Sequence, residues 1–586
     1  MTDAAAVRRP QQIPADLAAA IDRALERALA DNWVERIWSR DPSVWSDDER
    51  VQKLISDRLG WLDLPASFAD RVVSLEAFAI AVREEGFTAG LVCGMGGSSL
   101  APDVLASSLP LGETGIPVRI LDSTDPTAVQ VATTASDPAQ TLYMIASKSG
   151  TTTESQAFLS HFWKVEDDIH DDFPRGLAGV HFVAITDPGS VDAIPHSDLF
   201  RETFLNPADV GGRYSALSYV GLVPAALMGL DLDALLSDAT ATAERCQSAT
   251  ADNPGLWLGV VLGTLARAGR DKLTLVIEPR YATLGAWIEQ LVAESTGKRG
   301  GGIVPVDGEA LGDPGVYDED RVFVRIATGT DQTWQESTDA ALDALAEAGH
   351  PVLRLSMLGG AGALGGEFFR WEFATAVAGA VLGINPFDEP NVTESKDNTK
   401  RVLDHFRSSG ELPTDEPLAT GGGLTLFGDA PLRLTAGHDG LPNELRRHLA
   451  RARRRGYFSI QAFVAPTPER DAQLRSIAQL LRDRTQRAVT VGYGPRYLHS
   501  TGQLHKGGPS IGCFIQLTGR EADDLPIPGW KETFGTLIAA QAAGDFASLE
   551  AHELPVARVD LAASIDDGLA ELFETLASAL VEPLSS

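Results

Sequence analysis

Cysteine is scarce in the 586-residue sequence. Cys93, Cys246 and Cys513 stand far apart with no CxxC spacing, so neither a disulfide framework nor a zinc site is expected. Positive charge is also short: 49 Lys and Arg face 81 Asp and Glu, for a formal net charge of −32 at pH 7. Such a chain repels nucleic acid and acidic membrane, and neither is expected as its main partner. The Arg cluster at 446–455 has no interleaved aromatic residues to stack bases and reads as a solvated helix face. The longest apolar run, near Phe373–Ile384, is too short to span a bilayer and reads as a buried helix. The opening MTDAAAVRRPQQIPADL lacks the apolar stretch of a signal peptide, so a cytoplasmic protein is expected. Low-complexity tracts and short repeats are missing too.

What remains is a globular composition on a chain too long for one core, which predicts two or three α/β units. Residues 1–89 read as helices packed on the domain that follows. Within 90–268, Leu91–Cys93, Val118–Asp122, Leu142–Ala146 and Val180–Thr186 read as strands, with a helical stretch at Ser215–Leu236. Alternation of strand and helix at this interval implies a doubly wound parallel sheet. A second such unit, 269–407, carries strands at Leu273–Ile277, Val322–Ile326 and Val352–Leu355 and closing helices at Glu367–Leu382 and Val392–Phe406. A linker at 408–423 is the clearest break in composition. Beyond it, 424–586 reads as a smaller third α/β unit with strands Ser459–Val464, Val489–Tyr493 and Gly512–Leu517.

Two strand–turn–helix junctions stand out. LYMIASKSGTTTES (Leu142–Ser155) ends an apolar strand in a hydroxyl-rich turn and then starts a helix. Backbone N–H groups and the positive end of the helix dipole converge there. Ser147, Ser149, Thr151 and Thr152 add hydroxyl donors and Lys148 a full charge, the chemistry that holds a phosphate monoester. Thr151-x-x-Glu154 also reads as a plain capping box. The second junction, Gly94-Met95-Gly96-Gly97-Ser98-Ser99, has neither a dinucleotide fingerprint nor the GK[ST] of a nucleoside triphosphate loop. Alone it could serve only to let a strand meet a helix closely. Paired with Ser147–Thr152 it makes a two-loop site at the carboxyl edge of one sheet.

GMGGSSLAP and ASKSGTTTES resemble the two sugar-isomerase (SIS) loops of the phosphoglucose isomerase family. GGRYSALSYVGL, with Gly212 and Arg213, is similar to that family's GGR segment. Gln290-Leu-Val-Ala-Glu294-Ser-Thr-Gly-Lys298 resembles its catalytic stretch, and Asn385-Pro-Phe-Asp-Glu-Pro-Asn-Val…Lys396 its final signature. The five segments run in family order from Gly94 to Lys396. With its third unit, the chain looks closest to the isomerase half of bacterial fused transaldolase–phosphoglucose isomerases; the stretch before the first loop is too short for a barrel of about 250 residues.

The resemblance implies two SIS domains and interconversion of glucose 6-phosphate and fructose 6-phosphate through a cis-enediolate, with no metal or organic cofactor. A homodimer is also implied. Gly97, Ser98, Ser147, Lys148, Ser149, Thr151, Thr152, Gly212 and Gln290 would bind substrate. Glu294 would be the base, Arg213 the enediolate stabiliser, and Lys396 a ring-opening or O1 contact. By composition alone Glu294 reads as an exposed helix-terminal Glu, Arg213 as a bridge between helices and Lys396 as a solvated side chain. Two alternatives stay open: a non-catalytic sugar-phosphate sensor on the same scaffold, and an isomerase that also accepts mannose 6-phosphate.

Two positions depart from the family pattern. No His lies between His196 and His350, where the family carries its ring-opening His, usually donated by a neighbouring subunit. Glu389 stands where the family usually has Gln, and would repel a sugar phosphate unless a cation neutralises it. The polar segment Tyr497–Pro509, read as a loop, offers His505 with Lys506 for the vacant ring-opening role. His499 and His505 could equally just tie that loop together.

Overall fold

The apolar runs predicted as strands are the centres of three sheets. A computed structural model describes residues 11–169, 177–357, 362–413, 415–519, 523–561, 564–582 and 584. The first sheet contains β1 (Ala89–Gly94), β2 (Val118–Leu121), β3 (Thr141–Ala146), β4 (Phe182–Thr186) and β5 (Glu202–Leu205), all parallel, in the order β2-β1-β3-β4-β5. β1 and β3 are buried along their whole length, as strands covered on both faces must be. They lie side by side with Gly94 opposite Ala146. The chain leaves β1 toward β2 but crosses back to place β3 on the other flank. The loops after β1 and β3 therefore diverge and open a crevice at the sheet's carboxyl edge.

The second sheet repeats this plan. It is built from β6 (Lys272–Ile277), β7 (Val304–Val306), β8 (Arg321–Ala327) and β9 (Val352–Ser356), parallel, in the order β7-β6-β8-β9. The third sheet is mixed and has six strands: β10 (Ala419–Gly421), β11 (Leu424–Gly428), β12 (Tyr457–Phe463), β13 (Ala488–Tyr493), β14 (Gly512–Thr518) and β15 (Val556–Asp560). Its order is β10-β11-β15-β14-β12-β13, with β10 and β11 antiparallel to their neighbours. Two doubly wound parallel sheets and a third α/β unit are the fold class the sequence implies.

Several local expectations are corrected. The last residues of the expected 408–423 linker pair as β10. The helical stretch 215–236 is two helices, Tyr219–Leu227 and Leu232–Cys246. Tyr497–Pro509 is no open loop: it holds a short helix, Gly502–Gly507, after a turn at Arg496–His499. The N-terminal helices do not pack on the first domain alone. Gln12 exchanges two backbone hydrogen bonds with Val352 of β9, at 3.0 and 2.8 Å, and Trp38 stacks on Phe369 and Phe373. One apolar core consequently runs from Leu17 to Phe387 and joins both parallel sheets, while the third sheet keeps a core of its own.

Candidate active site

The two predicted loops leave β1 and β3 side by side at the carboxyl edge of the first sheet. In the second, Ser147 Oγ lies 2.9 Å from Thr152 Oγ1 and Ser149 Oγ lies 2.9 Å from Thr151 Oγ1, with Gly150 at φ +68° to close the turn. The helix Thr153–Ile169 starts directly behind these hydroxyls, so its N-terminal dipole adds to them. Lys148 is placed differently from expectation. Its ammonium is bound to the Asp187 carboxylate and to the carbonyl of Val210, 2.8 Å away. It anchors the segment leading into Gly211-Gly212-Arg213 instead of adding its charge to the cradle.

The glycines of the first loop are required by close approach. A Cβ on Gly97 would lie 2.3 Å from the Gly212 carbonyl, and one on Gly96 would meet the His499 carbonyl at 2.6 Å. The loop is therefore pressed between the Arg213 turn on one side and the third unit on the other. Ser98 completes its tight turn.

Glu294 sits in the last turn of the helix Leu284–Thr296, which is buried nearly all round. Glu294 itself is only 8% exposed, against the expectation of a solvated helix end. Arg213 Nη1 donates to its Oε1 at 3.0 Å and Gln290 Nε2 to its Oε2 at 3.2 Å. Burial pushes its pKa up; Arg213 opposes this, nearby Glu389 pushes the same way as burial, and the net direction is upward. All five N–H groups of Arg213 are engaged: Nε on Ser295 Oγ, Nη1 on Glu294 and Glu389, Nη2 on the carbonyls of Pro386 and Asp388. The guanidinium thus orients the carboxylate and supplies positive potential through space. Lys298 is bound to Asp388 at 2.8 Å and to the Asn385 carbonyl at 2.7 Å. Burial, reinforced by Arg213, lowers its pKa to about 8.

The third unit closes the site. Gln290 also donates to the His499 carbonyl at 2.7 Å, and the His499 ring Nε2 lies 3.1 Å from Glu154 Oε1. Gln541 Nε2 donates to the same Glu154 oxygen at 2.7 Å. Burial works against ionisation of Glu154, yet His499, and Lys396 at longer range, hold its pKa below the usual carboxylate range. Thr151, Thr152, Glu154, Lys396, His499 and Gln541 line a cleft of 690 Å³. Lys396 is exposed on the helix Val392–Ser409, which packs against the third unit's helix Phe534–Ala551, and lines this cleft. Gln503, which sequence reasoning passed over, ties three elements. Its amide donates to the Gly297 carbonyl and to Asn391 Oδ1, both at 2.9 Å, and its oxygen accepts from the Asn391 N–H at 2.8 Å.

His505 is not part of this arrangement. It is buried among the rings of Tyr457, Tyr497 and Phe514, with Nδ1 3.3 Å from Gln461 Nε2. Burial, then the charge of Lys506, drive its pKa well down. Lys506 pairs with buried Asp545 at 2.7 Å. The imidazole at the cleft is that of His499, six residues earlier. Among the described residues no group of three or more His, Cys, Asp and Glu converges as a metal site would, and no helix is long and apolar enough to cross a membrane.

A doubly wound sheet pair with a hydroxyl cradle at the first switch point defines an SIS-type phosphosugar scaffold. Among solved structures, a hypothetical protein of Thermus thermophilus aligns over 68% of this chain and 100% of its own, with 25% identity and a TM-score of 0.56. A glucose-6-phosphate isomerase of Chlamydia trachomatis shares the fold, with 18% identity and a TM-score of 0.52 over 67% of this chain and 86% of its own. The family profile for phosphoglucose isomerase matches residues 67–315. The glucose-6-phosphate isomerase of Rubrobacter xylanophilus is 32% identical over 394 residues, 59% of this chain and 89% of that one. That of Thermus thermophilus is 32% identical over 260 residues, 43% of this chain and 60% of that one. The chain belongs to the phosphoglucose isomerase family, a family of aldose–ketose isomerases.

Proposed function

We propose that this protein interconverts glucose 6-phosphate and fructose 6-phosphate. The observation that carries the reading is the buried carboxylate of Glu294, held by Arg213 and by Gln290, whose amide also reaches the carbonyl of His499, a residue of the cleft that Thr151 and Thr152 line. The phosphate is held by Ser147, Ser149, Thr151 and Thr152, with Gly97 and Ser98 of the first loop as further contacts and Gly212 open to close backbone approach. Glu294 takes a proton from one carbon and returns it to its neighbour through a cis-enediolate. One carboxylate suffices because the two carbons are adjacent. Arg213 stabilises the developing negative charge through its field and keeps the carboxylate aimed. The pyranose must first open, which needs a proton donor at the ring oxygen. His499, whose ring nitrogen lies 3.1 Å from Glu154, takes this role, with Lys396 lining the same cleft. The contribution that the family resemblance assigns to a neighbouring subunit thus has a counterpart within the chain, from its third unit.

The test is a coupled assay that supplies fructose 6-phosphate and follows glucose 6-phosphate, run on the protein and on Glu294→Gln. Turnover is expected to fall by about 10²–10⁴-fold in the variant with binding retained, and solvent-deuterium exchange into substrate to vanish with it. Binding without turnover in the unaltered protein would instead make it a sugar-phosphate sensor.

A further inference from the structure

The turn Asn385–Asn391 brings a second carboxylate to the guanidinium that aims the base. Glu389 Oε2 lies 3.1 Å from Arg213 Nη1, the nitrogen that donates to Glu294 Oε1 at 3.0 Å. The opposite edge of the guanidinium is fixed on the carbonyls of Pro386 and Asp388, at 2.8 and 3.0 Å, and Nε on Ser295. Arg213 therefore cannot swing toward one carboxylate and abandon the other. Their surroundings differ: the Glu294 side chain is 10% exposed and that of Glu389 41%.

The charged and titratable groups around the pair come from three elements. The Gly212–Tyr214 turn brings Arg213 and Tyr214. The base helix brings Glu294, with Lys298 just beyond its end. The Asn385–Asn391 turn brings Glu389 and Asp388, the latter bound to Lys298. The third unit meets this group through the His499 carbonyl on Gln290. Three carboxylates thus face two cations, and a Gln at 389 would balance the charge.

We infer that Glu389 is a positioning residue of the isomerisation, which shares Arg213 with Glu294 and so keeps the catalytic carboxylate more basic than an arginine contact alone would leave it. The inference rests on Glu294 being the base. A carboxylate alone beside a guanidinium becomes a weak base, because the cation favours its ionised form. A second carboxylate on the same nitrogen weakens that effect, and its own charge further disfavours ionisation of the first. Proton abstraction from carbon improves as the base strengthens. The direction agrees with the environment of Glu294, where Glu389 adds to the upward push of burial. A neutral amide at 389 would keep an oxygen for Nη1 and lose the charge.

The experiment compares pH profiles of kcat/KM for fructose 6-phosphate in the unaltered protein, Glu389→Gln, Glu389→Asp and Glu294→Gln, with urea unfolding of each as a check on folding. Removing the charge at 389 lowers the pKa of Glu294, so the ionised base persists to more acid solution. The acid limb of Glu389→Gln is expected to move down by about half a pH unit or more, and its kcat on the plateau to fall about threefold or more as the base weakens. Glu389→Asp, which keeps the charge, is expected to retain the original limb; Glu389→Ala replaces Gln if the amide variant does not fold. An acid limb that stays put in the neutral variant, with Glu294→Gln inactive, overturns the inference and leaves the base assignment standing. Full activity in Glu294→Gln overturns the base assignment, and the inference with it.

Discussion

His499 and His505 stand six residues apart, on a turn and the short helix after it, and their surroundings separate their chemistry. His499 lines the cleft and sets its ring nitrogen on the Glu154 carboxylate. His505 is enclosed by aromatic rings, where burial and the neighbouring charge of Lys506 disfavour an imidazolium. His499→Ala is expected to slow turnover of the cyclic sugar phosphate by about 10²-fold or more, while sparing proton exchange on an open-chain ketose phosphate. His505→Ala should leave the ratio of the two rates unchanged. Loss on both substrates in His499→Ala would remove it from ring opening. Periodicity gives no means of choosing between the two rings, because the choice depends on Glu154, more than three hundred residues away. Lys148 shows the same limit: its type and place suggest a phosphate contact, but Asp187, outside the motif, takes its charge.

At the scale of elements, legibility followed the length of the apolar run and not burial alone. β1 and β3 read as apolar runs and β6 and β8 as runs broken only by Thr274 and Arg325, whereas β7 is buried throughout but only three residues long. The short edge strands β5 and β7, the β10–β11 hairpin and β15 carry polar residues, Pro or Gly and gave no such signal. The five family segments marked the first loop, the base helix and the helix of Lys396. They could not reveal how tightly these meet. Gly97 and Gly212 make that contact asymmetric: a Cβ on Gly97 would strike the Gly212 carbonyl, whereas one on Gly212 has nothing within 4 Å. Neither substitution needs a left-handed backbone, so the comparison isolates packing. Gly97→Ala is expected to destabilise the fold by about 1–3 kcal/mol, from overpacking against backbone that cannot yield. Gly212→Ala should stay within about 0.5 kcal/mol of the unaltered chain. Urea unfolding curves measure both, and equal stability would show that the two loops part readily.

Across the whole molecule, the two parallel sheets share one strand order but not one use. The loop after β8 stands where the cradle stands after β3: Thr328-Gly329-Thr330 precede the helix Gln332–Glu347, as Ser147–Thr152 precede theirs. In the second sheet, however, the donors are already occupied. Glu278, which follows β6, accepts from the Thr328 N–H at 2.7 Å, from Thr328 Oγ1 at 2.8 Å and from Thr330 Oγ1 at 2.9 Å. Burial alone would raise its pKa, but these hydroxyls and N–H groups bring it below the usual range, so it is an anion at neutral pH. A phosphate would have to displace a tethered carboxylate, at the entropic disadvantage of a free ligand against one already in place, and against the repulsion of that same charge. In the first sheet the hydroxyls of the cradle bond to one another, and Ser149 Oγ also accepts from the Thr151 N–H, so their own donors can be turned toward a phosphate. Calorimetric titration with fructose 6-phosphate at neutral pH is therefore expected to give one site per chain. In the double variant Ser147→Ala, Thr152→Ala, binding should weaken by about tenfold or more, with no second site taking over. A stoichiometry of two, or full-affinity binding that survives the double variant, would mean that the second sheet holds phosphate despite Glu278.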